Sequence, residues 1–166
     1  MPFDVVIVGG SFAGLSAALP LVRARRRVAI IDAGRPGNRF ADHSHGVFAL
    51  DGRPGSEILA VGRQQVAAYP TATLIAGEAL SAGVHDGAFV VATSDGQSVV
   101  GKRLLLAMRV VDLLPDVPGL SERWGKTIAA CPYCHGYEVG GGSIGVLGTG
   151  AVSVHQASLI AQDAAV

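Results

Sequence analysis

Gly9-Gly10-Ser11-Phe12-Ala13-Gly14 lies between an apolar run, Asp4 to Val8, and a run with helical spacing, Phe12 to Ala24, and Asp32 closes the next apolar stretch, Val28 to Ile31. Strand, glycine turn, helix and strand in that order make a βαβ unit, whose right-handed crossover sets the two strands parallel. Gly9 permits the tight turn, and Gly14 lets the helix close onto the strand. The exposed N–H groups and the helix dipole suit a pyrophosphate. Asp32, about twenty residues on, can accept hydrogen bonds from ribose hydroxyls, so the segment reads as a dinucleotide site rather than merely a tight turn. Ser11 stands in the pattern's second glycine position, and a side chain that small still admits a phosphate. Pro20 conflicts with its helix at about 3 kcal/mol, which predicts a kink or a break there.

The rest of the chain fits an α/β architecture. Gly34 to Gly55 is a long loop, of a kind usually functional, and His43 and His45 within it read as solvated or backbone-bonded. Ser56 to Tyr69 reads as a helix ended by Pro70, and Thr71 to Ala76 as a strand. Val84, Phe89, Val91, Val99 and Leu104 then fall in short segments divided by Asp86-Gly87 and Asp95-Gly96, which predicts an antiparallel meander. Leu104 to Ala107 is a further buried strand. Leu113-Leu114-Pro115-Asp116-Val117-Pro118-Gly119 reads as a linker. Beyond it Ser143 to Leu147 is expected as a strand, Gly148 to Gly150 as a turn and Val152 to Ile160 as a helix. Gly148-Thr149-Gly150-Ala151-Val152-Ser153 thereby repeats the first fingerprint. The expected domains are 1–114, a linker 115–119, and an incomplete second nucleotide-binding unit 120–166.

Composition excludes several classes. With 49% apolar and 16% charged residues the chain is globular rather than disordered. A formal charge of zero argues against nucleic acid, and the basic run Arg23, Arg25, Arg26 and Arg27 falls at a helix end where cations complement the dipole. Met1-Pro2-Phe3-Asp4 has no positive n-region, and no apolar run approaches the roughly 18 residues that span a bilayer, so a cytoplasmic protein without a membrane partner is expected.

Cys131-Pro132-Tyr133-Cys134-His135 carries the remaining chemistry. Two cysteines at this spacing near a helix start can form a small-ring disulfide, and the helix dipole is expected to favour the thiolate of the first. His135 can exchange a proton with a thiol near neutral pH. Tyr133 is expected to pack. The same residues match c-type haem attachment, which needs an oxidising compartment, and half of a zinc site with His43 or His45, which lacks a second pair. The redox reading is preferred and no metal is assigned.

Together, Val5 to Gly14, Asp32-Ala33-Gly34-Arg35-Pro36, Asn38-Arg39 and Cys131 to Glu138 resemble the thioredoxin reductase-like pyridine nucleotide-disulfide oxidoreductases over almost the whole chain. The Cys-Pro-Tyr-Cys-His version is closer to the branch that includes dithiol oxidases of disulfide natural products. The resemblance implies a Rossmann-like FAD-binding domain followed by the start of a Rossmann-like NAD(P)-binding unit. It implies that Gly9, Ser11, Ala13, Gly14, Asp32, Arg35, Asn38 and Arg39 contact FAD, and that Gly148, Gly150 and Ser153 begin the NAD(P)H site. Cys134 would face the flavin as its charge-transfer partner, Cys131 would exchange with a small-molecule or protein thiol substrate, and His135 would be the acid/base. Ala107-Met108-Arg109 stands where the family has Ala-Thr-Gly, so a clash or a re-routed loop is expected at Arg109. The family's return segment, which contains Gly-Asp and completes the flavin site, has no counterpart here. The half-formed second unit is therefore expected to dock, or to pair in a homodimer or with a complementing chain.

The resulting expectation is a flavin-dependent oxidoreductase passing electrons between NAD(P)H, FAD and the cysteine pair. The alternatives are a non-catalytic FAD- or nucleotide-binding module, a dithiol oxidase using oxygen, and, more weakly, a Cys/His metal protein.

Overall fold

A computed structural model describes residues 1–139 and 142–163. It divides into two compact units, one formed by Met1–Arg39 with Ser56–Val111, the other by Phe40–Gly55 with the chain from Asp112 onward.

The first unit contains β1 (Val5–Val8), α1 (Phe12–Arg23), β2 (Val28–Asp32), α2 (Gly55–Ala67), β3 (Ala72–Ala76), β4 (Ala79–His85), β5 (Ala88–Thr93), β6 (Ser98–Gly101) and β7 (Leu104–Leu106). Four of the strands make a parallel sheet in the order β3-β2-β1-β7, and β4-β5-β6 make an antiparallel one. The central strands β1 and β2 are apolar on both faces because both are covered. On one face Val5, Ile7, Val28 and Ile30 pack with Leu15, Ala18 and Val22 of α1 and Leu59 and Val66 of α2. On the other, Val6, Val8, Ala29 and Ile31 pack with Val91 and Val99 of the meander. The period-2 alternation of β1 and β2 thus sends each second residue into a different core.

Both hairpin dipeptides turn the chain as expected. Asp86 and Gly87 take φ of 49° and 74°, the paired positive values that a two-residue turn between right-twisted strands requires. The expected break at Pro20 is not found: α1 runs as one helix from Phe12 to Arg23. The carbonyl left without an N–H donor belongs to Ser16, one turn earlier, and both residues are exposed, so water can satisfy it.

The second unit holds α3 (Leu120–Arg123), α4 (Pro132–Val139) and α5 (Val152–Asp163). The expected helix is there, but the expected strand 143–147 is not: those residues pair with no neighbour among the described residues. A strand exists through its ladder, and an apolar run without one stays irregular. Among the described residues no helix is long and apolar enough to cross a membrane.

Ile30 is fully buried in the helix-side core while Val84 is 68% exposed on β4. Ile30→Ala is expected to lower unfolding free energy by about 2–5 kcal/mol and Val84→Ala by under about 0.5 kcal/mol, measured by urea denaturation.

Candidate functional site

The β1–α1 turn is held at distances that leave no room for side chains. A Cβ on Gly14 would sit 1.8 Å from the Gly9 carbonyl oxygen, and one on Gly9, whose φ is +108°, would sit 2.3 Å from the Ala107 oxygen. One on Gly10 would meet Asp32 at 2.6 Å. Three backbone segments, β1, the start of α1 and the end of β7, therefore converge, and Ala107 N–H donates to the Val8 carbonyl at 2.8 Å. Ser11 is the N-cap of α1 in extended conformation, and no side chain caps the helix. The first-turn N–H groups of a helix have no partner within it, so an anion is the natural occupant of this end.

A cavity of about 400 Å³ opens over this turn, within the size range of small-molecule sites. Gly9, Ser11, Ala13, Asp32 and Arg35 line it, and Gly14 lies behind them against Gly9. Asn38 and Arg39 follow in a turn where Arg39 donates to the Pro36 carbonyl at 3.2 Å, and they do not line the cavity. Sequence reasoning missed Arg63, which ion-pairs with Asp32 Oδ2 from α2, and Glu78, which pairs with Arg35 at 2.6 Å. Asp32 Oδ1 accepts the Gly34 N–H at 3.2 Å. Glu78 was within reach of reasoning: Asp32 is in register with Ala76 of β3, so the chain just beyond Ala76 borders the cavity. Arg63 carried no such signal.

The second fingerprint is built differently. A Cβ on Gly150 would meet nothing within 4 Å and one on Gly148 would only touch the Ser153 Cβ at 4.0 Å, so neither glycine is sterically required. The Ser153 hydroxyl accepts the Thr149 N–H at 3.1 Å, occupying a donor that a phosphate would use.

The cysteines flank the start of α4. Cys131 precedes Pro132, which opens the helix without needing an N–H partner, and Cys134 falls in the first turn. Both are free thiols, with Cys134 Sγ donating to Cys131 Sγ at 2.6 Å. That bond, with some burial, holds the Cys134 proton and raises its pKa to about 11. Gln156 of α5 donates to the Ala130 carbonyl at 3.1 Å, anchoring the approach to Cys131. Both ring nitrogens of His135 are buried without a hydrogen-bond partner among the described residues. Tyr133, expected to pack, is 77% exposed, because it projects from α4 away from the helix's covered side. His45 of the long loop lies 3.3 Å from Glu138 of α4 and 3.7 Å from Asp51, while His43 has no ion-pair partner among the described residues. No cluster of three or more His, Cys, Asp or Glu suited to a metal occurs among the described residues.

Residues 3–165 match the family model described as "Pyridine nucleotide-disulphide oxidoreductase", and the chain belongs to that family. It is 39% identical over 150 residues to "Thioredoxin reductase tcpT" of Claviceps purpurea, covering 89% of this chain and 47% of that one. It is 36% identical over 156 residues to "Thioredoxin reductase aclD" of Aspergillus oryzae, covering 91% and 49%. The chain thus spans about half the length of these curated relatives. Among solved structures, an oxidoreductase from Agrobacterium tumefaciens superposes with a TM-score of 0.94 at 46% identity, over 98% of this chain and 55% of the other.

The raised Cys134 pKa means that the fold favours the protonated thiol. That contribution is complete below the ordinary thiol range around 9.0 and is lost as pH rises through about 11. Alkylation of Cys134 by iodoacetamide, followed by peptide mass spectrometry, is expected to accelerate only as pH nears 11. In Cys131→Ala, which removes the acceptor, the same acceleration is expected at lower pH.

Proposed function

We propose that the chain is the flavin-cradling portion of a thioredoxin reductase-like oxidoreductase, which exchanges electrons between NAD(P)H, FAD and the Cys131/Cys134 pair and acts on a thiol or disulfide substrate. The observation that carries this reading is the cavity over the β1–α1 turn, with Asp32 on its wall and three glycines packed too tightly for side chains. The fit to FAD is specific at two points. The uncapped start of α1 offers N–H groups to a pyrophosphate, and Asp32 keeps acceptor capacity for ribose hydroxyls beside its bonds to Arg63 and Gly34. The bound flavin would supply a two-electron store between nicotinamide and disulfide.

The chain's own residues would then carry out thiol exchange. Cys131, as thiolate, attacks one sulfur of the substrate disulfide; a Cys131–substrate bond forms, and the other substrate sulfur leaves and takes a proton. Cys134, once deprotonated, attacks Cys131 Sγ, so that the Cys131–Cys134 bond forms and the second substrate sulfur is released. Two electrons and two protons pass to the substrate. A retained Cys134 proton keeps the second attack from preceding the first, and the unpartnered His135 imidazole is suited to take that proton. Run in reverse, with oxygen as the final acceptor, the same pair would serve a dithiol oxidase. A cytoplasmic setting, which keeps such thiols reducible, belongs to the same proposal.

The build of the second glycine turn favours a second reading, a flavin-binding module without nicotinamide turnover. Gly148 and Gly150 face open space, no paired strand precedes them, and Ser153 occupies the Thr149 N–H.

The purified chain is expected to show the two-band visible absorption of bound FAD, to bleach with NADPH, and to recover on adding a disulfide. Colour without bleaching would select the binding module, oxygen uptake with a dithiol would select the oxidase, and a colourless protein would refute the cradle. Cys134→Ser is expected to keep the flavin and lose all thiol-dependent spectral change. Gly14→Val, by contrast, is expected to remove the flavin, with far-UV circular dichroism reporting whether the fold survives.

A further inference from the structure

Four charged side chains line the cavity over the β1–α1 turn: Asp32, Arg35, Glu78 and Arg109. Three of them are neutralised locally. Asp32 is paired with Arg63, and Arg35 with Glu78 at 2.6 Å. Arg109 has no ion pair or hydrogen bond to any described residue. The cavity wall therefore carries one surplus positive charge, and it comes from Arg109.

The root of this side chain is well placed to act on the glycine turn. Ala107, two residues earlier, is pinned by its N–H to Val8 and lies with its carbonyl against Gly9. On the other side, a Cβ at Gly37 would come within 3.6 Å of the Arg109 Cβ. Arg109 thus rises between the β1–α1 turn and the Arg35–Gly37 loop. The clash or re-routing expected of an arginine at this point is not needed, since its φ is not positive and β7 keeps its register with β1 up to Leu106.

We propose that Arg109 is a specificity-determining residue of this cavity, contacting the diphosphate of a nucleoside-diphosphate-containing ligand and selecting it over the uncharged nucleoside. The inference rests on the cradle reading above and adds to it a contact that the turn alone does not supply. A guanidinium presents a planar fork of donors that matches two phosphate oxygens at once, and it stays charged at any working pH. Arg109 and the open N–H groups at the start of α1 border the same cavity, so two kinds of positive potential bear on one ligand. Because Arg109 is exposed, part of its effect is screened by salt.

The test is calorimetric titration of the whole chain and of Arg109→Gln and Arg109→Lys with ADP and with adenosine, at low and at moderate ionic strength. Arg109→Gln is expected to weaken ADP by about tenfold, as for one charge-assisted contact in a partly solvated site, and to leave adenosine within about twofold. Arg109→Lys should recover part of the loss, and the salt dependence of ADP binding should be shallower in Arg109→Gln than in the parent. If ADP binds Arg109→Gln as tightly as the parent, or more tightly, Arg109 is a bystander or an obstruction and the proposal is overturned while the cradle stands. If the parent binds neither ADP nor adenosine, the cradle reading falls and this inference falls with it.

Discussion

Helix α1 meets strand β1 at a separation that leaves no space for a Cβ at Gly14, and β7 meets the same turn at a separation that leaves none at Gly9. Everything else in the first unit is arranged around that contact. With the helix so close, Leu15, Ala18 and Val22 reach Ile7 and Ile30 directly, and the helix-side core closes without long side chains. The start of α1 makes no side-chain cap bond and borders a cavity. Packing and ligand chemistry are thus set by one geometric condition, and a substitution there acts on both.

Much of the first unit was legible in the sequence. Apolar runs and helical spacing locate β1, β2, β3, β7 and both helices to within a few residues, while Asp86-Gly87 and Asp95-Gly96 mark the turns of the meander without bounding its strands, and Leu104, expected in the meander, belongs to β7. Local patterns suffice where each element is specified by its own residues. What stayed hidden depends on partners distant in sequence. Arg63 reaches Asp32 across 31 residues, and only the rotation of α2 decides that it does. The assignment at 143–147 failed for the complementary reason: the run looks like a strand, but pairing is a property of neighbours. At Pro20 the helix continues without a break, and the carbonyl it frees belongs to an exposed residue, Ser16.

The two glycine turns show how little a motif says without its surroundings. Their sequences are near repeats, each ahead of a helix. In the first, backbone within 3 Å forces Gly9 and Gly14 and the Asp32 side chain crowds Gly10; in the second, the space around the glycines is open. The first is bordered by an acid at the end of a paired strand and roofed by β7. The second has a serine hydroxyl folded onto its own N–H. A spacing rule scores them alike, whereas the steric requirement separates them.

The long loop has a separate significance. Phe40–Gly55 clusters with the chain beyond Asp112 rather than with the residues on either side of it, and His45 meets Glu138 within that grouping. The polypeptide consequently leaves the first unit, contributes to the second, returns for α2 and all the later strands, and leaves again. Neither unit corresponds to one uninterrupted stretch of coding sequence. A ribosome completes the loop long before the helices it belongs with have been made, so its contacts with them can form only when the last third of the chain appears. The second unit can thus close only after every residue of the first has been synthesised.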